Sequence, residues 1–503
     1  MFSGRNTIVL RENCGFSVFN QNIFQLGGLL VNYSSYGDDR WKILCGEQSG
    51  PEGRALELLY GGISGEVPYI LVAEPAAEAK DLNQYSLLLI GTRKTNPLLA
   101  SLVCETEMPG NGYLVQVTDS PFSVSRQIAV LCGSDGAQVI YAVAHFLNDY
   151  LPDARQRQDH MPYFRKLFSG KMPEYTAVHT PAFAERGIWT WGHCIYDYRK
   201  FAQNMARLGL NAVTIWNDYA PVNLKEVVSC FHSYGIKVTF GYSWGWGEPL
   251  DIQSPAELNR WRDRAIQVYE QQYSNAGGDG IYFQSFTETN EQEIGGVPIA
   301  DAVVAWVNTV GGAMLERWPD LKIQFGLHAT SVHTRIDALK QVDSRISIIW
   351  EDCGAFPYAY LSRQTNGVKE TLSFTDRIVS LRPACGCGVV LKGQVCLDWD
   401  KFEHQQGPFL LGCQSERTTE KRLAILRDQW HDVQGYWIEN IGLCRRTLER
   451  LIGVAVYALV EDALLESGCW YPVALYAQLL WTPHMPDHQL LRMVARRPDV
   501  TML

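Results

Sequence analysis

From about residue 183 onward the sequence alternates short apolar runs with amphipathic stretches, and this rhythm limits the possible folds more than any other feature. Runs such as Ala212–Trp216 (AVTIW) read as buried strands, and stretches such as Tyr198–Leu208 carry apolar residues at helical spacing. A strand that is apolar on both faces must be covered by helices, so repeated strand–helix units imply a parallel sheet. Strands are expected at Gly187–Trp191, Ala212–Trp216, Lys237–Tyr242, Gly280–Ser285, Lys322–Leu327 and Arg345–Trp350. Val389–Leu391 and Gly435–Ile438 complete a set of eight, with Arg445–Val460 read as a helix. Eight such units imply closure into a (β/α)8 TIM barrel.

Residues 1–165 follow a different pattern and read as a small mixed α/β domain. Its expected strands are Thr7–Leu10, Leu29–Tyr33, Tyr85–Gly91, Gly112–Val117 and Gln127–Cys132. After the Gly133-Ser134-Asp135-Gly136 turn, Ala137–Tyr150 reads as a helix that Pro152 stops. Residues 153–180 are polar, with several Pro and Gly, and read as a linker. The expected organisation is an N-terminal α/β non-catalytic domain at 1–165 and a catalytic barrel with C-terminal helices at 180–503.

Charge and composition narrow the function. The formal net charge is −10 and no Lys/Arg-rich run occurs, which argues against nucleic acid as a partner. No apolar run approaches the roughly 20 residues needed to span a bilayer, so no membrane partner is expected. The 13 Cys are scattered, and no basic-then-apolar leader opens the sequence, a pattern that fits a cytoplasmic protein with reduced thiols. Cys385-Gly-Cys387 lacks a second pair at zinc spacing, so neither a metal nor another cofactor is expected. A homodimer is compatible with the sequence but not required by it.

In a barrel of this kind chemistry sits at the C-terminal strand ends. The first strand ends in Trp189, Trp191 and His193, and the second in Asn217 and Asp218. Trp244, Trp246 and Glu248 follow the third strand, and Glu288 and Glu291 the fourth. His328 follows the fifth, while Trp350, Glu351 and Asp352 end the sixth. Lys392 and Asp398 lie near the seventh, and Glu439 near the expected eighth. Flat Trp rings suit the apolar faces of sugars, and paired carboxylates suit acid/base cleavage of a glycosidic bond. Any single one of these acids can equally cap a helix or pair with a cation, so the argument rests on their convergence.

Residues 186–218 (RGIWTWGHCIYDYRKFAQNMARLGLNAVTIWND) resemble the opening of the barrel in glycoside hydrolases of the α-glucuronidase (family 67) and β-hexosaminidase (family 20) types. Ile128–Pro152 resembles the non-catalytic domain preceding those barrels. Gly280–Glu288 resembles the α-glucuronidase pattern of a Gly-led strand ending in Ser-Glu, which implies the general-acid role for Glu288. The Gly-Gly-Asp-Glu ending of the hexosaminidases is absent. The resemblance further implies a second carboxylate at Asp352 or Glu351, with Asp398 and Glu439 in reserve, and an inverting outcome.

Gln284 stands where the α-glucuronidases carry a Lys that helps hold the substrate carboxylate, and their Arg after the fifth strand has no counterpart beyond His328. Lys392 or Arg186 would have to serve a uronate. The expected substrate-binding set is therefore Arg186, Trp189, Trp191, Asn217, Asp218, Trp244, Trp246, Gln284, His328, Trp350 and Lys392. The expected function is an exo-acting glycosidase on an oligosaccharide or glycoconjugate, with a terminal sugar that is neutral or uronic-acid-like. A non-catalytic glycan-binding barrel and a metal-dependent lyase or isomerase are the alternatives.

Overall fold

Seven consecutive buried residues, Ser86–Thr92, form the spine of the N-terminal sheet. The computed structural model describes residues 40–157, 167–192, 195–217, 219–244, 251–287, 289, 291–327, 329–351, 368–392, 401, 403, 410–412, 415–460 and 464–503. The chain divides into two units at His179/Thr180. The strands expected at Thr7–Leu10 and Leu29–Tyr33 lie outside the described residues.

The first unit holds β1 (Trp41–Cys45), β2 (Val72–Pro75), β3 (Ser86–Thr92), β4 (Tyr113–Asp119), β5 (Gln127–Gly133) and β6 (Tyr175–His179) in the order β2-β1-β3-β5-β4-β6. β1, β2, β3 and β5 run parallel, and β4 is antiparallel to both β5 and β6. Leu44, Leu87, Leu89, Ile128 and Val130 pack together as the core beneath one face. Asp135 caps the helix Gly136–His145 by accepting the Gln138 amide at 3.0 Å.

Two expectations are corrected here. Pro152 does not stop the helix: a π-turn at Phe146–Tyr150 resets the hydrogen-bond register, and a further helix, Leu151–Arg157, carries the proline in its first turn. The supposed linker contains β6, whose residues alternate between half-buried and exposed along the sheet edge. Pro173 and Pro181 on either side made it look like a connection.

β6 ends in a titratable cluster. The His145 ring lies between the hydroxyls of Tyr113 (3.2 Å) and Tyr175 (2.6 Å), and the His179 ring stacks on Tyr113. Burial and the neighbouring His145 push His179 down to about 4, against the opposing pull of Asp149. Folding therefore favours the neutral ring. That stabilisation is present above pH about 6.5 and is lost as pH falls towards 4. Acidification through this window should lower the unfolding midpoint of wild type more than that of His179→Gln; equal slopes in a pH series of thermal melts would contradict it.

The second unit is a closed barrel of eight parallel strands. They are β7 (Arg186–Trp191), β8 (Ala212–Trp216), β9 (Lys237–Gly241) and β10 (Gly280–Gln284), followed after the small hairpin β11 (Glu293–Ile294) and β12 (Val297–Pro298) by β13 (Ile323–Leu327), β14 (Ile346–Glu351), β15 (Cys387–Leu391) and β16 (Ala455–Leu459). β16 closes the ring on β7, with Tyr457 opposite Gly187.

The first seven strands lie within two residues of expectation, but the eighth does not. Gly435–Ile438 belongs to the helix Glu416–Glu439, and the closing strand comes from the tail of the expected helix Arg445–Val460. That helix ends at Glu449, and Gly453, at φ +91°, turns the chain into AVYAL. A five-residue apolar run has no length to distinguish strand from helix by periodicity.

Candidate active site

Parity along each strand decides which side chains enter the barrel. Four large inward residues, Trp216, Tyr282, Ile349 and Tyr457, come from β8, β10, β14 and β16. Each lies over a glycine of the next strand round the ring: Gly241, Gly326, Gly388 and Gly187 respectively. A Cβ at any of these glycines would overlap the facing side chain. Large residues from alternate strands thus fill the barrel because the strands between them give up their side chains. Trp189, Trp216 and Tyr282 meet at ring-centroid distances of 5.3–5.8 Å in edge or tilted contacts. They form an aromatic floor beneath the C-terminal mouth.

Above that floor lies a polar set. Glu351, the last residue of β14, is 1% exposed. The Tyr282 hydroxyl and the Gln284 amide both donate to its Oε1. The Lys392 ammonium, one residue past β15, is 3.0 Å from Oε2. β13 lies between β10 and β14, so Tyr282 and Gln284 must cross it to reach Glu351. They do so at Gly326, where a side chain would occupy their path. Three donors on one buried carboxylate satisfy its charge, and the ammonium supplies the counter-ion that burial demands. At the opposite end of the barrel, Gln324 donates to the Tyr457 hydroxyl (2.9 Å) and Tyr457 donates to Glu185. Burial holds the Tyr457 phenol well above the ordinary range.

The expected site residues separate into three groups. Trp189, Trp191, Gln284, Glu351 and Lys392 come together at the barrel mouth. Asn217, just past β8, is buried, and its side chain accepts the Tyr219 amide at 3.4 Å. Arg186, Trp244, Trp350 and Glu439 are corrected.

Arg186 begins β7, so it sits at the end away from the mouth. There its guanidinium donates to the carbonyls of Gly209 (2.8 Å) and Phe183 (2.7 Å) and stacks on Trp481. Trp244 is buried face to face with Phe283, an outward-parity residue, at 3.6 Å between centroids. Trp350 also points outward, donating to Thr375 at 2.9 Å in the helix Val368–Val379. Both rings pack the wall between strands and helices. Glu439 ends a 24-residue helix rather than a strand.

Glu288, Asp352, Asp218, Trp246, His328, His193, Glu248 and Asp398 lie outside the described residues. Just before Glu288, Ser285 and Thr287 are each 1% exposed, and the Thr287 carbonyl accepts the Ser331 hydroxyl at 2.7 Å.

The residues missed in the sequence were Tyr282, Gly326 and Tyr457. The signal for Tyr282 was its spacing of two from Gln284, which puts both on the inner face. For Gly326 it was a glycine inside a strand, which marks a close approach. Among the described residues no cluster of three His, Cys, Asp or Glu is placed to hold a metal, and no helix is long and apolar enough to cross a membrane.

No family model and no curated protein sequence matches this chain. Among solved structures the chain is similar to one titled "Structure of CpGH84B", at 11% sequence identity and a TM-score of 0.49, over 92% of this chain and 75% of that one.

Proposed function

We propose that this protein is an exo-acting glycoside hydrolase working by two-carboxylate acid/base catalysis. The observation that supports it is the polar set of Gln284, Glu351 and Lys392 converging on an aromatic floor at the C-terminal mouth of a closed parallel barrel. Aromatic faces suit a sugar ring, and the mouth is where barrels of this kind place their catalytic groups.

Glu288 follows the fourth strand and is assigned the general acid. Asp352, adjacent to Glu351, is assigned the base that activates water. Glu351 itself, held by Tyr282, Gln284 and Lys392, is assigned a positioning role. Its two oxygens are already taken by these three donors. The resemblance to the α-glucuronidases supports inversion, which needs carboxyl groups roughly 6.5–9.5 Å apart.

Glu288→Gln and Asp352→Asn should each lower turnover of a cleaved aryl glycoside by at least about a hundredfold while circular dichroism and melting stay at wild-type values. Activity within a few-fold of wild type in Glu288→Gln would remove it from the mechanism. NMR of the first anomer released reads the stereochemistry. The complete engagement of Glu351 also favours a second reading, a glycan-binding barrel without turnover, which sugar binding without cleavage across a broad glycoside panel would select.

A further inference from the structure

Eight large apolar side chains are exposed among the described residues of the barrel unit. Five of them lie on the helix Glu416–Glu439, just ahead of β16 or at the C-terminus. The other three, Tyr219, Val222 and Leu410, lie on connections that leave the C-terminal strand ends. Single exposed apolar residues are ordinary on a protein surface, whereas a group of them gathered at one place marks a binding surface.

Hydrogen bonds gather these three. Tyr219 and Val222 belong to the connection after β8, and Leu410 to the connection after β15, although β16 and β7 stand between those strands in the ring. Asn223 spans the gap. Its side-chain amide donates to the Leu411 carbonyl at 2.9 Å and accepts the Leu411 amide at 3.1 Å. Gly412, at φ +75°, donates to the Ile195 carbonyl after β7 at 3.1 Å, and a Cβ there would overlap the Tyr198 ring. Pro221, buried between Tyr219 and Val222, fixes its own φ. The backbone under the group is thus tied down, and a guest would have little left to order. The group also continues from the aromatic floor: Tyr219 follows Trp216 by three residues, and Asn217 accepts its amide at 3.4 Å.

Resting on the glycosidase reading above, we infer that Tyr219, Val222 and Leu410 form the site for the leaving group, and that the leaving group is an apolar alkyl or aryl aglycone rather than a second sugar. An exo-acting enzyme takes the terminal sugar innermost, onto the floor, so a surface at the rim meets what that sugar carries. A sugar ring is held by a flat aromatic face and by hydrogen bonds to its hydroxyls. Two of these three side chains are branched aliphatics, which offer neither, and the Asn223 amide beside them is committed to Leu411. An alkyl chain or phenyl ring asks only for apolar area, and the three side chains, 47%, 69% and 50% exposed, have it to give.

The test uses the sugar and anomer whose aryl glycoside the protein cleaves. The methyl and hexyl 1-thioglycosides of that sugar, and its thio-linked disaccharide, resist hydrolysis and are measured as competitive inhibitors of the cleavage. The hexyl compound should bind at least about tenfold more tightly than the methyl compound, the effect of burying about two methylene groups, and more tightly than the disaccharide. In Tyr219→Ser/Val222→Ser/Leu410→Ser the hexyl advantage should fall to within about threefold, while the inhibition constant of the methyl compound and the melting temperature stay at wild-type values. Equal inhibition by the two alkyl compounds in wild type, or none by either, overturns the inference and leaves the glycosidase reading standing. So does a hexyl advantage that survives in the triple variant, since the chain would then dock elsewhere, and so does tighter binding of the disaccharide. Failure to cleave any aryl glycoside overturns the glycosidase reading and this inference with it.

Discussion

Gly326→Ala should destabilise the barrel by more than the 1–3 kcal/mol typical of an added methyl group in a packed interior. A Cβ at this position would overlap the Tyr282 hydroxyl and lie 3.0 Å from Gln284 Cγ. Gly326 is paired on both sides, with β10 and with β14, so its own backbone cannot move aside without breaking strand pairing. The added methyl group also blocks the route by which Tyr282 and Gln284 reach Glu351, so the substitution removes two donors from a buried carboxylate as well as crowding the interior. Thermal or chemical unfolding reads the loss. The mechanism is separable by a second change: Gly326→Ala combined with Tyr282→Leu should be more stable than Gly326→Ala alone, although Tyr282→Leu by itself is destabilising. Additive losses in that double-mutant cycle would show that the crowding is elsewhere.

The barrel was largely legible in the sequence because its strands are buried on both faces and its helices are amphipathic; the two periodicities alternate visibly from Gly187 to Trp350. It became illegible where a strand follows a helix with no polar break between them. Ala455–Leu459 is such an element, and only Gly453, with its left-handed backbone, separated it from the preceding helix.

The site was legible by position but less so by orientation. Strand-end counting placed Glu351, Gln284 and Lys392 correctly at the mouth. It also swept in Trp350 and Trp244, whose rings face the helices, because it took proximity to a strand end as evidence of direction. Parity would have separated them: Trp350 is one residue from Glu351 and so points the opposite way. Arg186 was chosen for its charge, yet as the first residue of its strand it lies a barrel's length from the mouth. The glycines carried more information than was drawn from them, since each inward glycine marks where a large neighbour or a crossing side chain must fit.

Lys392→Met should expose how much of the mouth depends on one ion pair. The substitution leaves the Glu351 carboxylate 1% exposed and without its counter-ion, while the Tyr282 and Gln284 donors remain. Breaking a buried pair on one side costs roughly 3–5 kcal/mol, and the fifth of the Lys392 side chain that stays in water puts the expectation at the lower end. The penalty arises only while Glu351 is ionised. Glu351→Gln in the same chain removes the stranded charge and keeps the side chain's shape, so Lys392→Met/Glu351→Gln should recover more than half of the loss at neutral pH. A deficit that is not recovered in the double variant would mean that Lys392 acts through its aliphatic stem rather than as the counter-ion of Glu351.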